Sequence, residues 1–475
     1  MILCKGRIMD LAFRPVYELI DLVKRKKLSP VELAIHILKR IEKLDPKLQA
    51  YLTVVEEKAL LDARQAEQAL YKGEELGPLH GIPVSIKDLH CTKGIRTTFG
   101  SLIYRDFLPD ADAIVVQRLK AAGAIILGKT NTPEFGQSGT TENRLGDHCR
   151  NPWNINRTAG GSSGGAAASI AAGLCCLAQG SDGGGSIRIP ASFCGVYGLK
   201  PTFGRVADKS DDKGLPLFVQ IGPLARYVRD AALMMNVISG PDPQDDTCIP
   251  QRAPDFVAAM DRSWGKMRMA WSSNLGYAAV DPEVKSTVES AVRVFEDFGH
   301  RVEEATPKID SPFELFQTIA LADTYATHGF LLEKNADQLM DYVKSTLIAG
   351  SKITGAQYSN ALRSLNQFRN TWKHFFTQYD LLMTPTAAVP AFPVGKRPDE
   401  IGGQRVNRIW GPFPFTAPWN LTGQPAASIP CGFSSDGLPI GLQIIGRQEN
   451  EASVLMASAI FEQARPWADK IPSGV

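Results

Sequence analysis

A serine that follows three consecutive glycines is the first feature of this sequence that could do chemistry. Gly183, Gly184 and Gly185 precede Ser186, and residues without side chains can turn several backbone N–H groups toward one point. Donors arranged in this way stabilise the negative charge on oxygen in the tetrahedral intermediate of acyl transfer. We therefore predict that Ser186 is a nucleophile and that the backbone N–H groups of residues 183–186 form its oxyanion hole.

Lys87 is the best base that the sequence offers to this serine, because no histidine lies near the glycine run. It ends the apolar segment 81–87, which is typical of a strand entering a protein core, where lysine is rarely buried without a partner. Burial disfavours the ammonium form and lowers the pKa, so a neutral amine becomes available at about pH 7. We predict that Ser162, from the glycine-rich run 160–165, relays the proton from Ser186 to Lys87.

A competing interpretation makes Ser162 the nucleophile of an α/β-hydrolase, since residues 160–164 also match the pattern G-x-S-x-G. That motif needs a strand directly before the serine and a helix after it. The alanine-rich segment 166–172 favours the helix, but the polar segment 150–157 contains a proline and argues against the strand. The histidine of such a triad would come from one of three positions with no distinctive context: His300, His328 or His374.

Several segments of the chain resemble the amidase signature family in sequence, order and spacing. They are residues 81–87, 128–131, 141–154, 160–165, 180–201 and 437–443. In that family a lysine is the base, the first of two adjacent serines is the bridge, and a serine after the later glycines is the nucleophile. The resemblance implies these roles for Lys87, Ser162 and Ser186, with a cis peptide bond before Ser162 and a homodimer. One difference is Gly183, where many members carry threonine, so the loop is expected to be more open.

Four polar residues near the predicted catalytic groups in sequence are expected to support them. Asp182 and Arg188 flank the nucleophile, and a pair between them would clamp the glycine loop. An ordinary surface ion pair is the alternative for these two residues. Asn131 and Ser163 are predicted to donate further hydrogen bonds to the site.

The substrate is predicted from an aromatic segment at residues 410–419. An apolar pocket with few charges favours neutral aryl or alkyl groups over amino-acid carboxylates, although plain core packing explains the same aromatic residues equally well. The predicted pocket residues are Gln137, Ser138, Gly139, Trp410, Phe413 and Phe415.

The expected reaction is hydrolysis of small aryl or alkyl amides by an amidase or aryl-acylamidase-like enzyme, with ester and carbamate side activities. The resemblance also includes the glutaminase component of glutamyl-tRNA amidotransferase complexes, in which an arginine binds the glutamine carboxylate. Leu347 stands where we would look for that arginine. Membership of such a complex is therefore the second hypothesis.

Composition is typical of a large globular enzyme. The 475 residues are 44% hydrophobic and 21% charged, and a net charge of +2 gives no reason to expect nucleic acid or a membrane as a partner. The eight cysteines include the adjacent Cys175 and Cys176 but no CxxC pair, so we expect free thiols, no metal and no cofactor. Residues 1–7 contain no long apolar segment, which predicts a cytoplasmic protein.

Strand and helix patterns alternate along the chain, and they must together position these residues. This alternation predicts one α/β domain over 1–475, with a mixed central β-sheet covered on both faces by helices. We expect a helical segment over about 1–75, a catalytic core over about 80–240, a mostly helical cover over about 282–376 and a return to the sheet over about 377–475. A capping box at residues 29–32 should start one helix. The predicted strands are residues 84–86, 124–127, 174–177, 381–383 and 427–429.

Overall fold

A large mixed sheet forms the centre of the computed structural model, which describes residues 10–209, 216–262 and 265–474. The strands in chain order are β1 (Tyr51–Val54), β2 (Pro83–Lys87), β3 (Ile125–Thr130), β4 (Arg150–Asn151), β5 (Asn154–Thr158), β6 (Leu177–Asp182), β7 (Tyr197–Lys200), β8 (Gln220–Ala225), β9 (Arg268–Trp271), β10 (Arg301–Glu304), β11 (Leu381–Pro385), β12 (Glu400–Ile401), β13 (Gln404–Arg405), β14 (Ala426–Phe433) and β15 (Pro439–Gly446). In the described part of the chain the central sheet has eleven strands in the order β1-β3-β2-β6-β8-β7-β14-β15-β11-β9-β10. The pairs β4–β5 and β12–β13 form separate two-stranded sheets.

Helices pack around this sheet. They are α1 (Val16–Lys24), α2 (Pro30–Leu48), α3 (Glu56–Lys72), α4 (Ile114–Ala121), α5 (Gly164–Ala171), α6 (Arg188–Cys194), α7 (Val228–Ile238), α8 (Phe256–Met260), α9 (Pro282–Val292), α10 (Val294–Asp297), α11 (Phe313–His328), α12 (Leu331–Lys334), α13 (Asp341–Gly350), α14 (Gly355–Gln378), α15 (Ala417–Thr422) and α16 (Glu451–Ala464). Short 3-10 helices lie at Leu11–Phe13, Leu102–Tyr104 and Glu134–Gly136. The α/β class predicted from the sequence is confirmed.

Local sequence signals set the start of α2 as predicted. The Ser29 hydroxyl accepts the N–H groups of Val31 and Glu32 at 3.0 and 3.3 Å, and the Glu32 side chain accepts the Ser29 N–H in return. Pro30 occupies the first helical position, where its missing N–H costs no hydrogen bond. The capping box and the buried apolar stripe of α2 together hold this helix against the core.

The segments that carry the predicted site residues lie at one edge of the sheet, because the strands that precede them are parallel. β2 lies between β3 and β6 and runs parallel to both, so the last residues of these strands, Lys87, Thr130 and Asp182, lie toward the same edge. All five residues of β2 are buried, as expected of a strand covered on both faces. The loop that carries Ser186 follows β6 directly.

Three predictions about the elements were wrong. The strand placed at 174–177 occupies Leu177–Asp182, and its polar residues are buried, so hydrophobicity did not mark it. The first 75 residues are not all helical, because Tyr51–Val54 pairs with β3, and residues 1–9 lie outside the described ranges. The polar segment before Ser162 contains β5, which needs no apolar alternation because it pairs with β4 and, by one bridge, with Pro393, apart from the central sheet. No helix in the described ranges is long and apolar enough to cross a membrane.

Candidate active site

Lys87 and Ser162 form a buried contact at the end of β2. The lysine Nζ lies 2.7 Å from the Ser162 Oγ and donates to the Ser181 carbonyl at 3.1 Å. Lys87 is fully buried and Ser162 is 2% exposed. Burial lowers the pKa of Lys87 to about 7, although the negative charge of Asp182 acts in the opposite direction. A large fraction of this amine is therefore neutral at neutral pH and available to accept a proton.

Ser162 and Ser186 line the same cavity, which has a volume of about 260 Å³. The two serine loops are held together by a hydrogen bond from the Ser163 N–H to the Ser186 carbonyl at 3.0 Å. The peptide bond between Gly161 and Ser162 is cis. Ser186 is half-buried, and no other described residue hydrogen-bonds its hydroxyl. The arrangement leaves a hydroxyl at the cavity surface beside a serine that contacts a buried amine.

Four backbone N–H groups were predicted to form the oxyanion hole, and in the structure one of them is already hydrogen-bonded to a side chain. The Gly185 N–H donates to the Asp182 Oδ1 at 2.7 Å and is already used. The N–H groups of Gly183, Gly184 and Ser186 donate to no residue in the described ranges. Three neighbouring donors thus remain for an oxygen in the cavity.

A buried ion pair holds the glycine loop. Arg188 donates from Nε and Nη2 to the two Asp182 oxygens at 2.9 and 2.8 Å, and both side chains are fully buried. Burial alone would raise the pKa of Asp182, but the Arg188 guanidinium holds it well below its usual range. Arg188 also donates to Gln443 and Asn420, each at 2.7 Å. The pair is buried, so the surface alternative is wrong, and its role as a clamp of the loop stays a prediction.

Ser163 and Asn131 occupy different places with respect to the site. The Ser163 hydroxyl donates to the Ser181 carbonyl at 3.1 Å, which also accepts from Lys87. Asn131 instead donates to the Gln49 carbonyl at 2.8 Å, and its own carbonyl accepts the Gly165 N–H at 3.1 Å. Asn131 therefore anchors the start of α5 and makes no hydrogen bond to the predicted catalytic residues.

Aromatic side chains form much of the cavity wall, and five of the six predicted pocket residues are among its lining: Gln137, Ser138, Gly139, Trp410 and Phe413. Phe316 also lines the cavity and meets Trp410 edge to face at 5.0 Å between ring centroids. The prediction for Phe415 was wrong, because this ring is fully buried in a core cluster with Trp372 and Trp419. Phe413, which lines the cavity, and Phe415, which packs in the core, are only two positions apart in the sequence.

Arg397 and His328 were not predicted to belong to this pocket, although both line it. Arg397 lines the cavity, donates to the hydroxyls of Ser138 and of Thr140, the latter at 2.6 Å, and lies 3.8 Å from Glu142. His328 also lines the cavity. The segment 395–398 has the composition of a solvent-exposed turn, so no local signal marks Arg397. The cavity is therefore less purely apolar than predicted.

The α/β-hydrolase alternative is not supported at Ser162. Its hydroxyl contacts Lys87, and β5, the strand before it, belongs to a two-stranded sheet outside the central one. Within the described ranges no group of three or more His, Cys, Asp or Glu side chains is arranged to hold a metal ion. Leu347, the position compared with an arginine, is fully buried in a cluster on α13, whereas its neighbour Thr346 lines the cavity.

Known proteins resemble the chain over almost its whole length. The model of the family described as Amidase matches residues 32–455. An acylamidase of Rhodococcus erythropolis is 39% identical over 454 residues, covering 95% of this chain and 95% of that protein. The glutamyl-tRNA(Gln) amidotransferase A-type subunit of Moorella thermoacetica is 38% identical over 492 residues, covering 98% and 99%. The crystal structure of a bacterial aryl acylamidase superposes with a TM-score of 0.91 at 31% identity, covering 96% and 97%.

Proposed function

The chain belongs to the amidase signature family of hydrolases that act on amides, and on that premise we propose that it cleaves its substrate through an acyl-enzyme on Ser186. The observation that carries this proposal is the buried Lys87 amine in contact with Ser162, in a cavity that Ser186 also lines. A lysine whose pKa is lowered to about 7 can work as a base where no histidine is bonded to the serine.

The first half-reaction forms the acyl-enzyme. The Ser186 oxygen attacks the amide carbonyl carbon, while its proton passes to Ser162 and the proton of Ser162 passes to neutral Lys87. The negative charge that develops on the carbonyl oxygen is stabilised by the free N–H groups of Gly183, Gly184 and Ser186. When the C–N bond breaks, Ser162 returns a proton to the leaving nitrogen and takes one back from Lys87. An amine leaves, and the acyl group stays on Ser186.

The second half-reaction restores the enzyme. Water attacks the acyl carbon, its proton follows the same route through Ser162 to Lys87, and the carboxylic acid leaves as Ser186 regains its proton. Asp182 and Arg188 do not take part in proton transfer, because their buried pair has no contact with the serine hydroxyls. They fix the loop that carries the oxyanion donors, so that little reorganisation is needed when charge develops.

The substrates that fit this cavity best are small neutral amides with aryl or alkyl groups. A volume of about 260 Å³ with walls that include Phe316, Trp410 and Phe413 suits a compact apolar acyl or amine group. The Rhodococcus acylamidase and the aryl acylamidase structure support the same substrate class. Esters and carbamates present the same carbonyl to Ser186 and are expected as side substrates.

A glutaminase role within an amidotransferase is the second function that we consider, because the Moorella protein is nearly as similar to the chain. Arg397 is the cavity cation that such a role would require for a glutamine carboxylate. Its guanidinium, however, already lies beside Glu142 and two hydroxyls. A paired cation is a weak receptor for a second carboxylate, and we therefore place this function second.

We further infer from the family that the enzyme is a homodimer in the cytoplasm and needs no nucleic acid or membrane. Light scattering on the purified chain tests the dimer, which a monomeric mass would exclude.

The activity test uses the purified chain alone with p-nitroanilides of short acids, a phenyl carbamate and glutamine. We expect release of p-nitroaniline and little ammonia from glutamine, and a Ser186→Ala preparation is the matched control. Glutamine turnover above anilide turnover would favour the amidotransferase role. Equal anilide hydrolysis by the Ser186→Ala control would refute the acyl-enzyme on Ser186.

A further inference from the structure

One arm of the cavity carries a hydrogen-bonding side chain that the proposed chemistry does not use. We call this arm the aromatic slot and define it by Leu89, Tyr104, Phe135 and His328, all of which line the cavity. A Cβ atom added at Gly136, next to Phe135, would lie 3.3 Å from the Ser162 Oγ and 2.7 Å from the Leu89 side chain. The slot therefore adjoins the bridging serine.

His328 is the polar member of the slot. It ends α11, is 6% exposed, and stacks on the Phe135 ring with 4.4 Å between centroids and 16° between planes. Tyr104 meets the same Phe135 ring edge to face at 6.2 Å. Phe135 has a φ of 51°, in the left-handed region that bulky residues rarely adopt.

No residue that the structure describes hydrogen-bonds an imidazole nitrogen of His328, and the nitrogens are not fully enclosed, since the ring lines the cavity. Nitrogens that face a cavity can exchange water for a polar group of a bound ligand, and such groups fix the orientation of small molecules in their sites. Burial lowers the pKa of His328 to about 4. The ring is therefore neutral at neutral pH and offers one donor and one acceptor without a charge.

The position of Ser162 decides which half of the substrate reaches this ring. In the proposed function, on which this inference rests, Ser162 protonates the leaving nitrogen, so the amine half of the amide must lie on the Ser162 side of the cavity. Because the aromatic slot adjoins Ser162 at Gly136, we assign the amine half to the slot. We propose that His328 is a substrate-positioning residue that hydrogen-bonds a polar group on an aromatic amine half, so that the preferred substrates are anilides with a hydroxyl or similar substituent on the ring.

The test compares two anilides that differ in one hydrogen-bonding group. Acetanilides with a hydroxyl at the ortho, meta or para position are each compared with the methyl compound of the same pattern, using the parent enzyme. A neutral hydrogen bond corresponds to about a 2- to 10-fold preference in kcat/KM for at least one hydroxyl isomer. A parent enzyme that shows no preference at any position overturns the proposal.

Two variants then assign the preference to His328. His328→Phe keeps a ring for stacking on Phe135 but removes both nitrogens, and His328→Gln restores a donor and an acceptor. We expect the hydroxyl preference to vanish in His328→Phe, mainly through KM, and to return in part in His328→Gln. The ratio of two substrates on one preparation does not depend on how much of the protein is folded.

The outcome is distinct from a failure of the catalytic proposal. An unchanged hydroxyl preference in His328→Phe would show that the histidine only packs against Phe135, even if Ser186 is the nucleophile. Activity in Ser186→Ala would refute the catalytic proposal, whatever His328 does.

Discussion

Lys87 should lower the stability of the folded protein while it supports activity. The ordinary lysine pKa of 10.5 falls to about 7 on burial. At pH 7 this shift corresponds to about 4 kcal/mol in favour of the unfolded state, in which the lysine takes up a proton. The contacts of Lys87 with Ser162 and Ser181 each stabilise the folded state by about 1 kcal/mol. Replacing the lysine by methionine removes both effects together.

The sign of the pH dependence follows from proton binding. Between the two pKa values of Lys87, about 7 folded and 10.5 unfolded, the unfolded state binds more protons, so this residue makes stability rise with pH. The destabilising effect is largest below that window and is lost above it. We therefore expect Lys87→Met to be about 2 kcal/mol more stable than the parent at pH 7. Near pH 10.5 the variant should be about 2 kcal/mol less stable than the parent, because only the loss of the two hydrogen bonds then separates them.

Urea unfolding of parent and variant at several pH values measures this difference. Lys43→Met, at an exposed position on α2, is the matched control and should show no such crossing. Over the same pH range, the rate of amide hydrolysis by the parent should rise about tenfold between pH 6 and pH 8. Lys87→Met should lose about 10²–10⁴ in kcat. A stability difference that stays constant with pH would show that Lys87 remains charged in the folded protein, and the general-base role would have to be abandoned.

The remaining predictions concern the two serines and the clamp. Ser186→Ala should abolish both turnover and labelling by a fluorophosphonate, and full labelling would place the nucleophile elsewhere. Ser162→Ala should lower kcat by about 10²–10⁴ yet leave slow labelling of Ser186, because only proton transfer is lost; loss of all labelling would favour Ser162 as the nucleophile. Arg188→Met should lower the free energy of unfolding by about 3–5 kcal/mol, because it leaves the Asp182 carboxylate buried and unpaired. An equally stable variant would show that the pair does not clamp the loop.

Much of the candidate site was predictable because its parts are local. The glycine run and Ser186 are contiguous, and the lysine ends a short apolar segment, so the chemistry of each part is visible without its neighbours. The pairing of Asp182 with Arg188 was also predictable as one of two alternatives, since six residues along one loop can bring the two side chains together. The choice between a surface pair and a buried clamp required the packing of β15 and α15, which supply Gln443 and Asn420.

The cavity was much less predictable, because its walls come from distant parts of the chain. Arg397 lies in a segment that has the composition of an exposed turn, and it becomes a wall residue only because it contacts Ser138 and Thr140. Phe413 and Phe415 are chemically identical in sequence, yet one lines the cavity and the other packs in the core. Composition alone cannot separate these two environments.

The sequence by itself determined the α/β class and the start of α2, and it was enough to propose Lys87, Ser162 and Ser186 as the catalytic set, because each depends on short-range pattern: periodicity, capping chemistry or contiguous glycines. Only the tertiary structure decided that polar β6 is a central strand, that the Gly185 N–H is used by Asp182, and that His328 lies in the aromatic slot, stacked on Phe135. The physical reason is that burial and hydrogen-bond satisfaction depend on which distant elements pack together. A residue type alone does not carry that information.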